Sequence, residues 1–199
     1  MFFSRMRVRC VMQDPTMPDA DTLSLSSRTT APRTWRVAVA GATGYAGQEL
    51  VRLLARHPLA QLTLATGSQA GSPSRRLPAL ARLWDGEVVP LDPAALAPAA
   101  DIVFLALPEA ASAALAPGLL DAGVRVIDLS GAFRLRDADA RTRWYPGTTV
   151  MPDGVVYGMP EFAADAIRTA RLVSCPGCYP TASLLALQPL ADAGLLDRA

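Results

Sequence analysis

The chain has 199 residues, of which 51% are hydrophobic and 19% are charged, and its formal net charge is +1. This composition is typical of a globular protein of one or two domains. The near-neutral charge gives no long-range reason to expect nucleic acid as a partner, and no apolar run reaches the roughly 18 to 20 residues that cross a bilayer. We therefore predict neither a nucleic-acid partner nor a membrane partner.

All 19 residues counted as Lys or Arg are arginine. The absence of lysine excludes a P-loop, which needs a lysine on the phosphates, and also excludes a Schiff-base lysine. The three cysteines, Cys10, Cys175 and Cys178, occur without a recognisable secretory leader. This cysteine usage favours reduced thiols and a cytoplasmic location over a disulfide framework.

The N-terminal residues 1–33 contain no apolar stretch of signal-peptide type, and we expect them to form a disordered extension. The pattern that follows predicts a strand over residues 36–40, a helix over 45–56 and a second strand over 62–66. The helix is expected to end at His57-Pro58, because proline disfavours helix in the residue before it.

Three glycines spaced three residues apart lie between the first strand and the first helix. Gly41 is expected to permit the turn, Gly44 to allow close approach of a pyrophosphate, and Gly47 to let the helix pack on the sheet. The alternative is a tight turn that binds nothing. A strand before the turn and a helix after it favour phosphate binding. The predicted cofactor contacts of this turn are Gly41, Thr43, Gly44, Tyr45, Ala46 and Gly47.

The region about 20 residues after the glycine turn bears on the choice between NAD and NADP. NAD-selective sites carry an acidic residue there, which binds the ribose hydroxyls and repels the extra phosphate of NADP. Residues 64–69 contain no carboxylate, and Ser68 is free to contact a phosphate. Arg75 or Arg76 would complement it by folding back, unless both are solvated loop charges. We predict that the cofactor is NADP.

The middle of the chain alternates between predicted strands and helices. Residues 67–98 are expected to form a loop with short elements, followed by a buried strand over 101–107, a helix over 110–122 and a strand over 124–129. This alternation predicts an α/β fold, a Rossmann-like doubly wound parallel sheet that extends over residues 34–174.

A Cys-x-x-Cys pair precedes an apolar run, residues 182–190, that is expected to be helical. The spacing is compatible with a redox pair, half of a zinc site, two buried structural thiols, or a single nucleophile, Cys178, beside an incidental Cys175. A thiol at a helix N-terminus is favoured as a thiolate, which supports Cys178 as the nucleophile. Zinc is disfavoured because ligands are lacking, and no metal is predicted. The only histidine, His57, lies far from this segment, so no acid or base partner is evident.

Arg134 follows the strand that ends near Ser130, where its guanidinium would overhang the carboxyl end of the sheet. Such a position suits an anionic substrate. The alternative is a solvated arginine in a surface loop.

Several ordered motifs together resemble the N-acetyl-gamma-glutamyl-phosphate reductase family. They are residues 41–50 (GATGYAGQEL), 104–108 (FLALP), 127–130 (IDLS) with 133–135 (FRL), 156–161 (VYGMPE) and 176–181 (PGCYPT). The resemblance implies NADPH-dependent reduction of N-acetyl-L-glutamyl 5-phosphate to the semialdehyde, a step of arginine biosynthesis. It implies that Cys178 attacks the acyl phosphate to form a thioester, that Arg134 holds the substrate, and that the full-length form is a homo-oligomer.

The chain also departs from the family pattern. The family usually has asparagine at the position of Cys175 and arginine at the position of Gln69, and its histidine base and most of its substrate domain follow the cysteine helix. We therefore expect a truncated chain in which residues 175–199 begin a second, α+β domain, and in which activity is impaired. The alternatives are an inactive nucleotide-binding fragment, or a reductase of an aminoadipyl or aspartyl phosphate.

Overall fold

The computed structural model describes residues 33–71 and 73–196. The predicted extension therefore lies outside the described residues, Arg33 excepted, as does Cys10. None of the described helices is long and apolar enough to cross a bilayer. The strands are β1 (Trp35–Ala40), β2 (Ala60–Thr66), β3 (Val88–Val89), β4 (Ile102–Leu105), β5 (Arg125–Asp128), β6 (Val156–Tyr157) and β7 (Leu172–Ser174). The helices are α1 (Tyr45–Leu54), α2 (Pro93–Ala99), α3 (Glu109–Asp121), α4 (Ala138–Trp144), α5 (Pro160–Thr169) and α6 (Cys178–Asp192).

The seven described strands form one parallel sheet in the order β3-β2-β1-β4-β5-β7-β6. The chain winds outward from β1 to β3, then returns to the centre and continues through β4 towards the other edge. This reversal between β1 and β4 is the topological switch point of a doubly wound sheet. The fold class predicted from the alternating pattern is confirmed.

Strand β1 shows how both faces of the sheet are covered. Val37 and Val39 belong to an apolar cluster with Val51 of α1, on one face. Ala38 and Ala40 belong to a second cluster, with residues of α2 and α3, on the other face. Because side chains alternate between the two faces of a strand, an unbroken apolar strand requires helices on both sides.

Helices α2 and α6 are among those that begin at positions that the sequence pattern did not predict. The stretch over residues 67–98, expected to be a loop with short elements, contains all but the last residue of α2. This helix begins with Pro93, and the Asp92 side chain caps its first turn by accepting a hydrogen bond from Ala94 N. Helix α6 begins at Cys178, four residues before the predicted start. Pro180 does not prevent this early start, because N–H groups in the first turn of a helix need no partner within the helix.

The carboxyl ends of the strands bring the chemistry-bearing segments to one edge of the sheet. The glycine turn follows β1, Asp128 ends β5, and the segment that contains Cys178 follows β7. Strands β1 and β7 are separated by β4 and β5. Their spacing is therefore about 14 Å, at about 4.8 Å for each neighbouring pair.

Candidate dinucleotide and thiol site

The glycine turn holds the ends of three strands together. Gly41 has a φ of 91°, in the region that favours glycine, and its N–H donates to Thr66 O at 3.0 Å. A Cβ at Gly41 would overlap with the carbonyl oxygen of Ala106, after β4. The turn therefore lies at the switch point itself, with its backbone tight against β4.

Gly47 and Gly44 face different surroundings. A Cβ at Gly47 would overlap with the carbonyl oxygen of Gly41 and lie 2.7 Å from Ala42 Cα, so the glycine allows α1 to approach the turn. A Cβ at Gly44 would meet only Gly41 O, at 3.6 Å. Gly47 is thus required for packing, whereas Gly44 leaves open space above the turn.

The N-terminus of α1 carries no side-chain cap. Gly44, Tyr45 and Ala46 are exposed there, and Thr43 is half-buried, with its carbonyl oxygen accepting a hydrogen bond from Gln48 Nε2 at 3.0 Å. Uncapped N–H groups and the positive end of the helix dipole suit a phosphate. The open space above Gly44 also fits a pyrophosphate, so the residues present match a dinucleotide. Gln48 is a positioning contact that the sequence analysis missed.

The predicted contact Ser68 lies just after β2, exposed, beside the same turn. A cavity of about 290 Å³ brings Ser68 and Thr43 together with Arg75. The cavity adjoins the glycine turn, as expected for the adenosine end of a dinucleotide whose pyrophosphate lies on α1.

Cys178 is the first residue of α6 and is exposed. Gly177 precedes it in an extended conformation (φ −72°, ψ 164°), and no side chain caps the helix. The carbonyl oxygen of Gly177 accepts hydrogen bonds from Thr181 N at 3.0 Å and Thr181 Oγ1 at 2.9 Å, which hold the first turn. The predicted nucleophile is therefore an accessible thiol at a helix N-terminus.

Cys175 differs from Cys178 in its surroundings. Its N–H donates to Asp128 O at 2.7 Å, which places it at the end of β7 rather than on α6. Burial and, to a smaller extent, the nearby Asp128 carboxylate together raise the pKa of the Cys175 thiol to about 11, against the opposing effect of Arg134. The two thiols do not share a helical turn, and this disfavours a redox pair. Within residues 33–71 and 73–196, no group of three His, Cys, Asp or Glu residues is arranged to hold a metal ion.

Arg134 contacts the backbone beneath the cysteine segment. Its Nε donates to Cys175 O and one Nη donates to Leu129 O, both at 2.8 Å. A Cβ at Gly177 would lie 3.1 Å from the other Nη. These two contacts use two of the five N–H donors of the guanidinium, so three donors on its two Nη atoms are left for an anionic substrate. Arg134 also ties the end of β5 to the segment before Cys178.

A buried polar turn supports the same segment and was missed by the sequence analysis. The Asp128 carboxylate accepts hydrogen bonds from Ser130 N at 3.1 Å and Ser130 Oγ at 2.8 Å, and Ser130 Oγ accepts one from Ala132 N. The Asp-x-Ser spacing at a strand end was the available signal. Burial raises the pKa of Asp128, although the hydrogen bonds from Ser130 lower it.

We predict that Asp128→Asn reduces the pH dependence of stability. A raised pKa in the folded state means that the stability is present below the unfolded pKa, about 3.9, and is lost as pH rises through the folded pKa. The wild type therefore loses this contribution to its unfolding free energy as the pH rises from 4 to 7. Asparagine does not titrate, so the variant does not lose it, and the stability of the variant relative to the wild type is expected to increase over that range. Urea unfolding at several pH values measures this difference, and a constant difference would contradict the prediction.

The switch point, the glycine turn and the uncapped α1 together define a dinucleotide-binding domain of the Rossmann type. Residues 36–170 match the model of the semialdehyde dehydrogenase, NAD binding domain. The chain belongs to this semialdehyde dehydrogenase family. The match confirms the prediction of a domain for a nicotinamide dinucleotide.

Relatives identified by sequence carry the name that the motifs suggested. The N-acetyl-gamma-glutamyl-phosphate reductase of Symbiobacterium thermophilum is 48% identical over 169 residues, covering 82% of this chain and 48% of the relative. That of Synechocystis sp. is 45% identical over 166 residues, covering 81% of this chain and 47% of the relative. The resemblance is confirmed, and the chain spans about half the length of these relatives.

Solved structures support the fold. Aspartate semialdehyde dehydrogenase II from Vibrio cholerae superposes with a TM-score of 0.55 at 23% identity, covering 81% of this chain and 47% of that one. The aspartate semialdehyde dehydrogenase of Candida albicans, solved with NADP, gives a TM-score of 0.53 at 18% identity, covering 79% of this chain and 47% of that one. At these identities, the likeness concerns the fold alone.

Proposed function

We propose that this chain contains the NADP(H) site and the nucleophile of an acyl-phosphate reductase whose substrate is N-acetylglutamyl phosphate. One observation carries the proposal: the uncapped N-terminus of α1 and the exposed Cys178 lie at the same edge of one sheet, about three strand spacings apart. The names of the relatives support the substrate, and the NADP in the Candida albicans structure supports the cofactor.

The chemistry starts with the Cys178 thiolate attacking the acyl carbon. A carbon–sulfur bond forms, the carbon–oxygen bond to phosphate breaks, and inorganic phosphate leaves with the electron pair. The backbone N–H groups of Cys178 and Tyr179, in the uncapped first turn, are the donors available to the oxyanion that develops. The product of this step is a thioester on Cys178.

Reduction then releases the aldehyde. A bound NADPH supplies the hydride for the thioester carbon. The Cys178 sulfur holds that carbon during the reduction and afterwards departs as a thiolate, because a thiolate is a good leaving group. The cofactor contacts in this proposal are the turn residues Gly41, Thr43, Gly44, Tyr45, Ala46 and Gly47, together with Ser68. Arg134 positions the Cys178 segment through Cys175 O.

A second candidate is a nucleotide-binding module without chemistry. His57, the only histidine of the sequence, accepts a hydrogen bond from Leu59 N at 3.2 Å in the turn after α1, at the opposite edge of the sheet from Cys178. The candidate site thus contains no histidine to move protons. For the 199 residues taken alone, this observation favours dinucleotide binding with slow or absent turnover.

The domains of the chain and its assembly with other chains belong to the same proposal. We propose that residues 34–174 form the NADP-binding domain and that residues 175–199 begin a catalytic domain. Helix α6 buries none of its residues, and Leu185, Leu187 and Leu190 are exposed on it, which supports a further layer or a second subunit there. A homo-oligomeric full-length form in the cytoplasm is consistent with these features and with the free thiols of Cys175 and Cys178 in the described part of the chain.

The test is acyl transfer to the chain itself, which needs neither cofactor nor base. N-acetylglutamyl phosphate is expected to release one equivalent of phosphate and to leave an acyl adduct on Cys178, seen by intact mass and peptide mapping. Aspartyl phosphate and an aminoadipyl phosphate are expected to react more slowly. Cys178→Ser is the control and should give no thioester. An adduct on Cys175, or no preference among the three acyl phosphates, would overturn the assignment.

A further inference from the structure

The cavity beside Ser68 contains one charged side chain. Arg75 lines it, together with Thr43 and Gly67 from the ends of β1 and β2, and no carboxylate is among the lining residues. In a site that selects NAD, this region would present a carboxylate to the ribose hydroxyls. A guanidinium with planar paired donors is suited instead to a phosphate dianion.

Arg75 is held at this place by the backbone rather than lying in a free loop. Its N–H donates to Val88 O at 3.0 Å, and Val88 N donates to Arg75 O at 2.8 Å, so the residue forms an antiparallel bridge with β3. Since β3 pairs with β2, the bridge anchors Arg75 to the sheet edge that bounds the cavity. An anchored backbone removes the cost of ordering the main chain of this residue when it binds a ligand.

Arg76 is the natural comparison. It is the next residue, and successive side chains of an extended segment point to opposite sides. Its Nε lies 3.8 Å from Glu87 Oε1, both side chains are largely exposed, and it does not line the cavity. The two arginines therefore have the same charge and neighbouring backbones but different environments.

We propose that Arg75, and not Arg76, binds the 2′-phosphate of the adenosine ribose and sets the preference for NADP over NAD. The proposal rests on the dinucleotide site proposed above. It assigns the phosphate contact to a residue anchored on β3, outside the strand–turn–helix unit that holds the pyrophosphate. Ser68 supplies a second, neutral contact from the end of β2.

The experiment compares 2′,5′-ADP with 5′-AMP, which differ only in the 2′-phosphate, by titration calorimetry on the full chain. Arg75→Ala is expected to weaken 2′,5′-ADP binding at least tenfold, as expected for the loss of a charge-assisted hydrogen bond, and to leave 5′-AMP binding unchanged. Arg76→Ala is expected to change neither by more than about twofold, within what an exposed charge contributes. NADP⁺ and NAD⁺ should repeat the pattern.

Arg75→Gln guards against a folding artefact, because it keeps the backbone bridge, the aliphatic stem and a polar end group while removing the charge. It is expected to behave like Arg75→Ala. Equal losses in the Arg75 and Arg76 variants, or a parallel loss of 5′-AMP binding, would overturn the assignment. If the wild type binds both nucleotides equally, the Arg75 proposal fails and the dinucleotide site stands. If the wild type binds neither nucleotide nor either dinucleotide, both proposals fail.

Discussion

Gly44→Ala is expected to leave the protein folded and to weaken NADP⁺ binding at least tenfold, whereas Gly47→Ala is expected to destabilise the fold. A methyl group at Gly44 meets only Gly41 O, at 3.6 Å, and the backbone is extended there, so alanine fits without strain. It would instead occupy the space that a pyrophosphate needs above the turn. At this N-cap position, the cost in stability is expected to remain within about 1 kcal/mol.

A methyl group at Gly47 has no such space. It would overlap with the Gly41 carbonyl and lie 2.7 Å from Ala42 Cα, and these are backbone atoms of a turn tied to β2 and β4. Helix α1 would have to move away from the sheet, at a cost of about 3 kcal/mol or more. That is a large part of the roughly 5–15 kcal/mol by which domains are stable.

The matched control for this pair is Gly118→Ala in α3. A Cβ there has nothing within 4 Å, and alanine is the better helix former by about 1 kcal/mol, so the variant should be as stable as the wild type or more stable. Urea unfolding and NADP⁺ titration of the three variants separate the effects. Wild-type NADP⁺ affinity in Gly44→Ala would contradict the placement of the pyrophosphate.

The parts of the site that depend on neighbours in sequence were predictable. The strand, glycine turn and helix around residues 36–56 follow from apolar periodicity and glycine spacing, and the structure places Gly41 and Gly47 where only glycine fits. The cap of α4 was also available, because the Asp137 side chain accepts a hydrogen bond from Ala140 N, yet no helix was predicted there. Its seven residues bury no side chain, so it leaves no apolar stripe in the sequence.

The parts that depend on contacts distant in sequence were not predictable. Arg134 reaches Cys175 O across 41 positions, and nothing in the spacing indicates that two of its donors bind backbone carbonyls. The choice between Arg75 and Arg76 likewise needs the bridge to Val88, which exists only because β3 pairs with β2. The start of α6 at Cys178 was missed because the apolar run begins later, at residue 182. Pro180, which precedes that run, is nevertheless compatible with the first turn of a helix.

The second large effect concerns the two thiols, whose reactivity towards iodoacetamide is expected to differ by at least tenfold. With Cys10→Ser in every protein, the Cys175→Ser variant retains the exposed Cys178 and should be alkylated rapidly at pH 8. The Cys178→Ser variant retains Cys175, whose pKa is raised to about 11, so that about one thiol in a thousand is ionised at that pH. Intact mass against time gives both rates.

The pH dependence and the cofactor provide independent checks on this contrast. Alkylation of Cys175 is expected to accelerate about tenfold for each unit between pH 8 and pH 10, since its thiolate fraction rises in that proportion below its pKa. Saturating NADP⁺ is expected to slow alkylation of Cys178 only, and in the Gly44→Ala background it should protect less at the same concentration. Equal rates for the two thiols would remove the basis for Cys178 as the nucleophile. Undiminished protection by NADP⁺ in that background would separate Cys178 from the dinucleotide site.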